Sequence, residues 1–585
     1  MIEINKLTFK YQTSEKNALE NISLKIEEGD FVGIIGESGA GKTTLCSAIN
    51  ALIPHHYKGD YYGSVRVCGT DTFDTTAGQL ALTVGSVFQD IESQLITTVV
   101  EDELLFALEN FGFSKDDIYK RIDETLNEME ISDLRYKEIS SLSGGQKQKV
   151  AIAAILALQP KILLLDEPTG ELDPASSLQI FKILQKLNKE KGITVIVVEQ
   201  KIMLLCEFAK KLIVMQEGKI TEYDEVRKVL GKSDELEKIG INIPRVVTLY
   251  KRLKDQGLLT NGSQLPLNAK EASDLIKSLP AYKTIDEKRK ITKEEEINDD
   301  VVSADVNGDG RKIENSLEES TVINFNNVSF SYHHESCIND VSVNVNKGDF
   351  IAIIGSNGAG KSTFSKLCNG LLKPTSGDVE VLGFNTKKTK TSKLAKHIGF
   401  LFQNPDRQIC CNSVKEEIEF SLKNIGLSLE EVQKRTEETL KEFNLNPSDE
   451  PFYLSRGQRQ KLCLACLIAL KSEILILDEP TTGLDYKECM ELMEKIKVLN
   501  KNGTTVIMVC HDMEVVLDFA TKVFVMTNGS LIAQGKTRDI LADEKLLSSA
   551  RLLAPQIAQT SNLLGTSYEK IFEIEELIHK LKGFE

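Results

Sequence analysis

The sequence predicts an α/β protein in which one kind of domain occurs twice, and two observations carry that prediction. The first is a long internal repeat. IIGESGAGKTT at Ile34–Thr44 returns as IIGSNGAGKST at Ile353–Thr363, and LSGGQKQK at Leu142–Lys149 returns as LSRGQRQK at Leu454–Lys461. ILLLDEPTGELD at Ile162–Asp173 returns in the same order as ILILDEPTTGLD at Ile474–Asp485. The second is a set of short runs rich in Ile, Leu and Val that end at turn residues, the pattern of buried parallel strands with helices over both faces.

At 585 residues the chain has room for three or four compact units of ~100–200 residues. With 41% hydrophobic and 27% charged residues it has the composition of a folded globular protein. Its longest wholly apolar runs, Val150–Leu158 and Leu462–Leu470, are nine residues each, short of the ~20 that cross a bilayer. MIEINKLTF opens the chain with no basic stretch leading into an apolar one, so no secretory signal is expected. Eleven cysteines at irregular spacing, eight of them from Cys337 onward, read as reduced thiols and not as a disulfide framework. A net charge of −16 opposes nucleic-acid binding, which draws its affinity from Lys and Arg on phosphates.

The expected organisation is an α/β domain over 1–230, a small C-terminal extension over 231–281, a linker over 282–320, the second α/β domain over 321–540 and its extension over 541–585. INIPRVVTLYKRL at Ile241–Leu253 and LLAPQIAQTSNLL at Leu552–Leu564 occupy equivalent places, so the duplication includes the extensions. The stretch Tyr282–Ser320 holds 7 Lys or Arg against 12 Asp or Glu and few large apolar residues, the composition of a flexible acidic linker.

Gly36–Thr43 and Gly355–Ser362 fit the phosphate-binding loop, where glycines let backbone N–H groups close on phosphate at a helix N-terminus. Gly36, Gly39 and Gly41 have Gly355, Gly358 and Gly360 as counterparts. Lys42 and Lys361 would reach the β- and γ-phosphates, and Thr43 and Ser362, followed by Thr44 and Thr363, would give a hydroxyl to Mg²⁺. Asp166 and Asp478 end apolar strands, where a carboxylate can hold Mg²⁺. Glu167 and Glu479 follow them, placed to polarise the water that attacks the γ-phosphate. LSGGQ and LSRGQ open helical stretches, so Ser143, Gly145 and Gln146, like Ser455, Gly457 and Gln458, form an anion-binding helix end; read alone, each is an ordinary cap and turn.

Phosphate loop, LSGGQ-type signature and apolar Asp-Glu pair, in that order and twice over, resemble the ATP-binding-cassette (ABC) ATPases across nearly all the chain but the linker. The resemblance implies two tandem P-loop nucleotide-binding domains with ATP and Mg²⁺ as ligands. It implies a head-to-tail pseudo-dimer in which the phosphate loop of one domain and the signature of the other clasp one ATP. It also implies adenine stacking by Tyr11 and Tyr332, Mg²⁺ or water contacts from Gln89 and Gln403, and a loop holding Asp173 and Asp485 that communicates across the dimer.

FQNPDRQ at Phe402–Gln408, followed by SVKEEIEFSLKNIG, is similar to the energy-coupling-factor (ECF) importers of vitamins and transition metals. The first copy keeps Gln94 but has Ile91 where that pattern has proline. The likeness implies a transmembrane coupling subunit and a substrate-binding membrane subunit as partners, and a peripheral place on the cytoplasmic face of the membrane. The rival readings are a soluble tandem ABC ATPase acting on ribosomes, against which the acidic linker counts, and the ATPase subunit of an exporter.

The two sites are expected to be unequal. Aligning TVIVVEQK with TVIMVCHD sets Gln200 opposite His511, where the family carries its γ-phosphate switch histidine. Arg456 also replaces the first glycine of the signature pair in the second domain, so both departures fall in one composite site. Three further patterns are set aside. DVNGDG at Asp305–Gly310 lacks the closing Glu of a Ca²⁺ loop, Cys463 and Cys466 lie in an apolar helical run, and the pairs His55–His56 and His333–His334 read as surface residues.

Overall fold

The computed structural model describes residues 1–582 except 171, 261, 283–320 and 333–334. The acidic linker after Tyr282, the DVNGDG stretch and the pair His333–His334 therefore lie outside the described residues. By contact the chain forms two compact units, 1–244 with 482–490, and 245–481 with 491–585.

In the first unit a six-stranded sheet runs in the order 219–225, 211–216, 31–36, 194–198, 162–166, 84–87. Its inner pairings are parallel and only the edge strand Lys219–Glu225 is antiparallel. Ile162–Asp166 and Thr194–Val198 are buried at every residue, which is why they read as unbroken apolar runs. A four-stranded antiparallel sheet, 19–26, 2–11, 59–67, 70–71, supplies the alternating pattern seen in Leu19–Ile26. One core joins the sheets to the helix Lys42–Ile49, with Phe9, Ile34, Leu45, Val65 and Ile196 among its members. Helices Val100–Asn110, Lys115–Glu128 and Gly144–Leu156 complete this part.

The second unit repeats the plan. Its six strands run 398–401, 474–478, 505–509, 350–354, 522–527, 530–536, and its antiparallel sheet 335–346, 321–332, 376–381, 384–385. Phe325 and Phe364 stack at 4.4 Å in the corresponding core. Cys463 and Cys466 are buried in the helix Arg456–Leu470, as their apolar setting predicts.

The region expected to be the first extension divides at Pro244, and from Arg245 onward it belongs to the second unit. There the helices Arg245–Asp255 and Ala269–Ser278 share a core with Gln556–Leu563 and Ile574–Leu581, built on Leu253, Ile276, Ile557, Leu577 and Leu581. Arg245 binds Glu514 at 2.7 Å and Asp518 at 2.6 Å. Tyr282, taken from composition as the start of the linker, instead donates its hydroxyl to Leu564 O at 2.9 Å and stacks on Tyr568. Composition averaged over the segment cannot show that its first residue is an aromatic anchor.

Two candidate nucleotide sites

Each site gathers at the carboxyl ends of neighbouring parallel strands, where α/β sheets generally hold their ligands. In the first unit, Phe31–Gly36 leads into the phosphate loop, Ile162–Asp166 into Glu167, Thr194–Val198 into Gln200, and Val84–Val87 into Gln89. The loop needs glycine for steric reasons. A Cβ on Gly36 would lie 2.2 Å from Met215 O, and one on Gly41, at φ +95°, 2.5 Å from Ala18 O. Gly39 and Gly358 fall in the turns of the two loops, and Gly355 and Gly360 meet the same obstruction as their counterparts.

The Lys42 amine donates to Gly36 O at 2.9 Å and Glu37 O at 2.8 Å, and burial lowers its pKa. Lys361 repeats the contacts with Gly355 O and Ser356 O, both at 2.9 Å. Each loop thus curls around an ammonium group at a helix N-terminus, a cradle that suits phosphate oxygens. Burial pushes Asp166 and Asp478 up to about 6, against hydrogen bonds from Thr43 and Ser362. Ser362 Oγ lies 3.1 Å from Asp478 Oδ1. A hydroxyl and a carboxylate brought together beside a phosphate cradle fit Mg²⁺, a hard cation that takes a few protein oxygens together with phosphates.

The next residues, Glu167 and Glu479, stand at φ +50° and +51°, a conformation other than glycine seldom adopts and one often found at functional sites. Their N–H groups are tied to Val198 O at 2.9 Å and Val509 O at 3.1 Å. Gln89 Nε2 and Gln200 Nε2 donate to the two oxygens of Glu167, each at 2.8 Å. Around Glu479 the partners are Gln403 Nε2 at 3.0 Å and His511 Nε2 at 2.7 Å. Burial alone would raise Glu479, but the hydrogen bond and charge of His511, with help from Lys361 and Gln403, hold it below its ordinary value. The chemistry available is the same at both sites, with a neutral amide in one where the other has an imidazole.

The ABC transporter family model matches residues 19–170 and 338–482, which takes in both phosphate loops and both signatures. The chain belongs to the ABC transporter ATP-binding family. It is 37% identical over 99% of its length to a protein of Caldanaerobacter subterraneus subsp. tengcongensis that carries the name ABC transporter ATP-binding protein, covering 98% of that protein. Proteins with the same name in Methanosarcina mazei and Clostridium perfringens are 35% and 34% identical, over 95% and 94% of this chain and 92% and 93% of theirs. The tandem ABC cassettes therefore bind ATP.

Within the ABC cassettes the signature serines have a structural duty that the sequence offered as the plainer reading. Ser143 Oγ accepts from Gln146 N while Gln146 Oε1 accepts from Ser143 N, and Ser455 pairs with Gln458 in the same way. These are reciprocal capping boxes. Each hydroxyl, while accepting, keeps its own proton to donate to an anion. Gly145 and Gly457 lie in the first turns behind the caps. Tyr11 donates or accepts at Thr44 Oγ1 over 3.1 Å and packs edge-on against Phe9 and Tyr57. Tyr332 is more open, at 41% exposure. Thr363 is buried in the second loop helix.

Sequence reasoning had Gln94 and Gln408 only as parts of a motif and missed the buried glutamates that shape the sites with them. Gln94 accepts from Phe88 N at 3.0 Å and donates to Ser86 O at 3.1 Å, so it braces the loop after Gln89, and Gln408 accepts from Phe402 N likewise. Glu103 Oε2 accepts from Ile96 N, Thr97 N and Thr97 Oγ1, and Glu417 Oε2 from Cys410 N and Cys411 N. Their recurrence as a buried Glu at one place in both copies was the available signal. Glu199 and Lys201 were also missed, although they flank Gln200 and differ from Cys510 and Asp512 in the other copy.

Proposed function

We propose that this chain is the ATP-hydrolysing subunit of an ECF-type importer, working through a transmembrane coupling subunit and a substrate-binding membrane subunit on the cytoplasmic face of the membrane. The observation that carries the reading is the pair of braced loops after Gln89 and Gln403. The first is bordered by large apolar side chains turned to solvent: Phe88, Ile96 and Phe106 are 42%, 68% and 43% exposed. A loop held by buried carboxylates and half-buried amides, with its apolar residues outward, suits a rigid socket for a partner's helix. Among the described residues no helix is long and apolar enough to cross a membrane, so on this reading the pore and the cargo site belong to partners. The cargo class is a vitamin or a transition metal.

In the proposed cycle each ATP is clasped by the phosphate loop of one cassette and the signature of the other. Lys361 holds charge on the β- and γ-phosphates, Ser362 and Asp478 hold Mg²⁺, Gln403 contributes a contact to it, and Glu479 aligns the attacking water while His511 steadies the γ-phosphate. Lys42, Thr43, Asp166, Gln89, Glu167 and Gln200 play the parallel parts in the first cassette, at a lower rate. ATP binding closes the cassettes, hydrolysis reopens them, and the movement passes to the membrane partners through the braced loops.

Affinity purification of the full chain from detergent-solubilised membranes should bring down integral membrane subunits, and I96D together with F106D should release them while ATP binding persists. Recovery of ribosomal particles in place of membrane proteins would contradict the reading.

A further inference from the structure

The residues on either side of Gln200 form a clasp from residue types that the second cassette does not repeat. In the second cassette Asp512 caps the helix Met513–Phe519, accepting from Glu514 N at 2.9 Å and Val515 N at 3.4 Å. The first cassette places Lys201 at that position, and it makes no side-chain cap to the helix Ile202–Phe208, as expected of a cation facing the positive end of a helix dipole. Its amine turns back to the segment after Glu167, donating to Thr169 O at 2.7 Å and Leu172 O at 3.0 Å.

Glu199 supplies the missing carboxylate. It is 2% exposed, and its Oε1 accepts from Gln200 N at 3.0 Å and Lys201 N at 3.1 Å. Its Oε2 accepts from the fully buried Thr169 hydroxyl at 2.5 Å. The counterpart of Glu199 is Cys510, a thiol in place of a carboxylate, whose Sγ lies 3.6 Å from Asp512 O. Thr169 is thus tied to the Gln200 segment through its hydroxyl by Glu199 and through its carbonyl by Lys201. A glutamine side chain has more rotatable bonds than a histidine, so keeping its amide on Glu167 needs a more firmly held backbone.

We propose that Glu199 and Lys201 are positioning residues of the first cassette, clasping the turn after Glu167 to the Gln200 segment so that the Gln200 amide stays on the Glu167 carboxylate. This rests on the reading of Glu167 as the group that aligns water there, and it explains how a site without the switch histidine retains a slow reaction. A buried carboxylate with a half-buried ammonium nearby, each bound to the same turn, holds geometry more than it adds stability.

The test uses the full chain with ATP as the only ligand. In an E479Q background, which leaves the first cassette as the source of hydrolysis, single-turnover release of labelled phosphate is followed alongside equilibrium ATP binding. K201M should slow release at least about tenfold with ATP affinity changed less than about twofold, the pattern of a misplaced catalytic group. K201R, which keeps the charge, should recover most of the rate. E199Q/K201M, which leaves no buried charge unpaired, should fold normally and lose no more than the worse single variant. In an E167Q background K201M should leave the remaining rate within about twofold. An unchanged rate in the E479Q background, an equal loss in both backgrounds, or no phosphate release at all from the E479Q parent would overturn the proposal. If adding E167Q took nothing from the rate of the E479Q parent, the reading of Glu167 itself would fail instead.

Discussion

The Gln200 amide, a neutral donor, donates to a Glu167 carboxylate oxygen at 2.8 Å where His511 meets Glu479 at 2.7 Å. The difference matters because phosphoryl transfer is catalysed chiefly by positioning and by charge placed ahead of the reaction. His511 helps to keep Glu479 ionised despite burial, whereas a glutamine brings no charge.

The glycine requirement of the phosphate loop gives a first prediction. A Cβ at Gly41 would sit 2.5 Å from Ala18 O at a φ of +95°, so G41A must move backbone at the start of the helix that carries Lys42. The first cassette should lose at least about tenfold in ATP affinity, with a stability cost of about 1–3 kcal/mol. Equilibrium nucleotide binding in a K361A background, which weakens the second cassette, reads the effect, and G39A, whose Cβ would meet nothing within 4 Å, should be milder.

The phosphate loops, the Asp-Glu pairs and the exchange of His511 for Gln200 were legible because each depends on a few adjacent residues. The strands were legible because parallel strands buried on both faces leave unbroken apolar runs. The clasp was not, since the meaning of Lys201 depends on the Thr169 and Leu172 carbonyls that strand pairing brings beside it. The contact of Arg245 with Asp518 spans 273 residues, beyond any local pattern. LSGGQ was legible as a helix cap, though not the reciprocal bond by which Gln146 returns to Ser143 N.

Glu514 gives a pH prediction. Burial pushes it up to about 7 from an ordinary 4.5, with Arg245 drawing it only part of the way back. The folded chain therefore keeps a proton that the unfolded chain has released. The stability from this group is full below pH 4.5 and is lost as pH rises through about 7. Between about pH 5 and pH 8 this group alone should lower thermal stability by about 2 kcal/mol, and E514Q should make the slope shallower, leaving the part due to Asp166 and Asp478. A wild-type slope equal to that of E514Q would contradict the assignment.

The most direct test of unequal cassettes compares steady-state ATP hydrolysis by E479Q and E167Q, full chain, with binding of ATP verified in each. E479Q should remove most of the turnover, about tenfold or more, while E167Q should leave a substantial fraction. Equal losses from the two substitutions would contradict the account, and a larger loss from E167Q would reverse it.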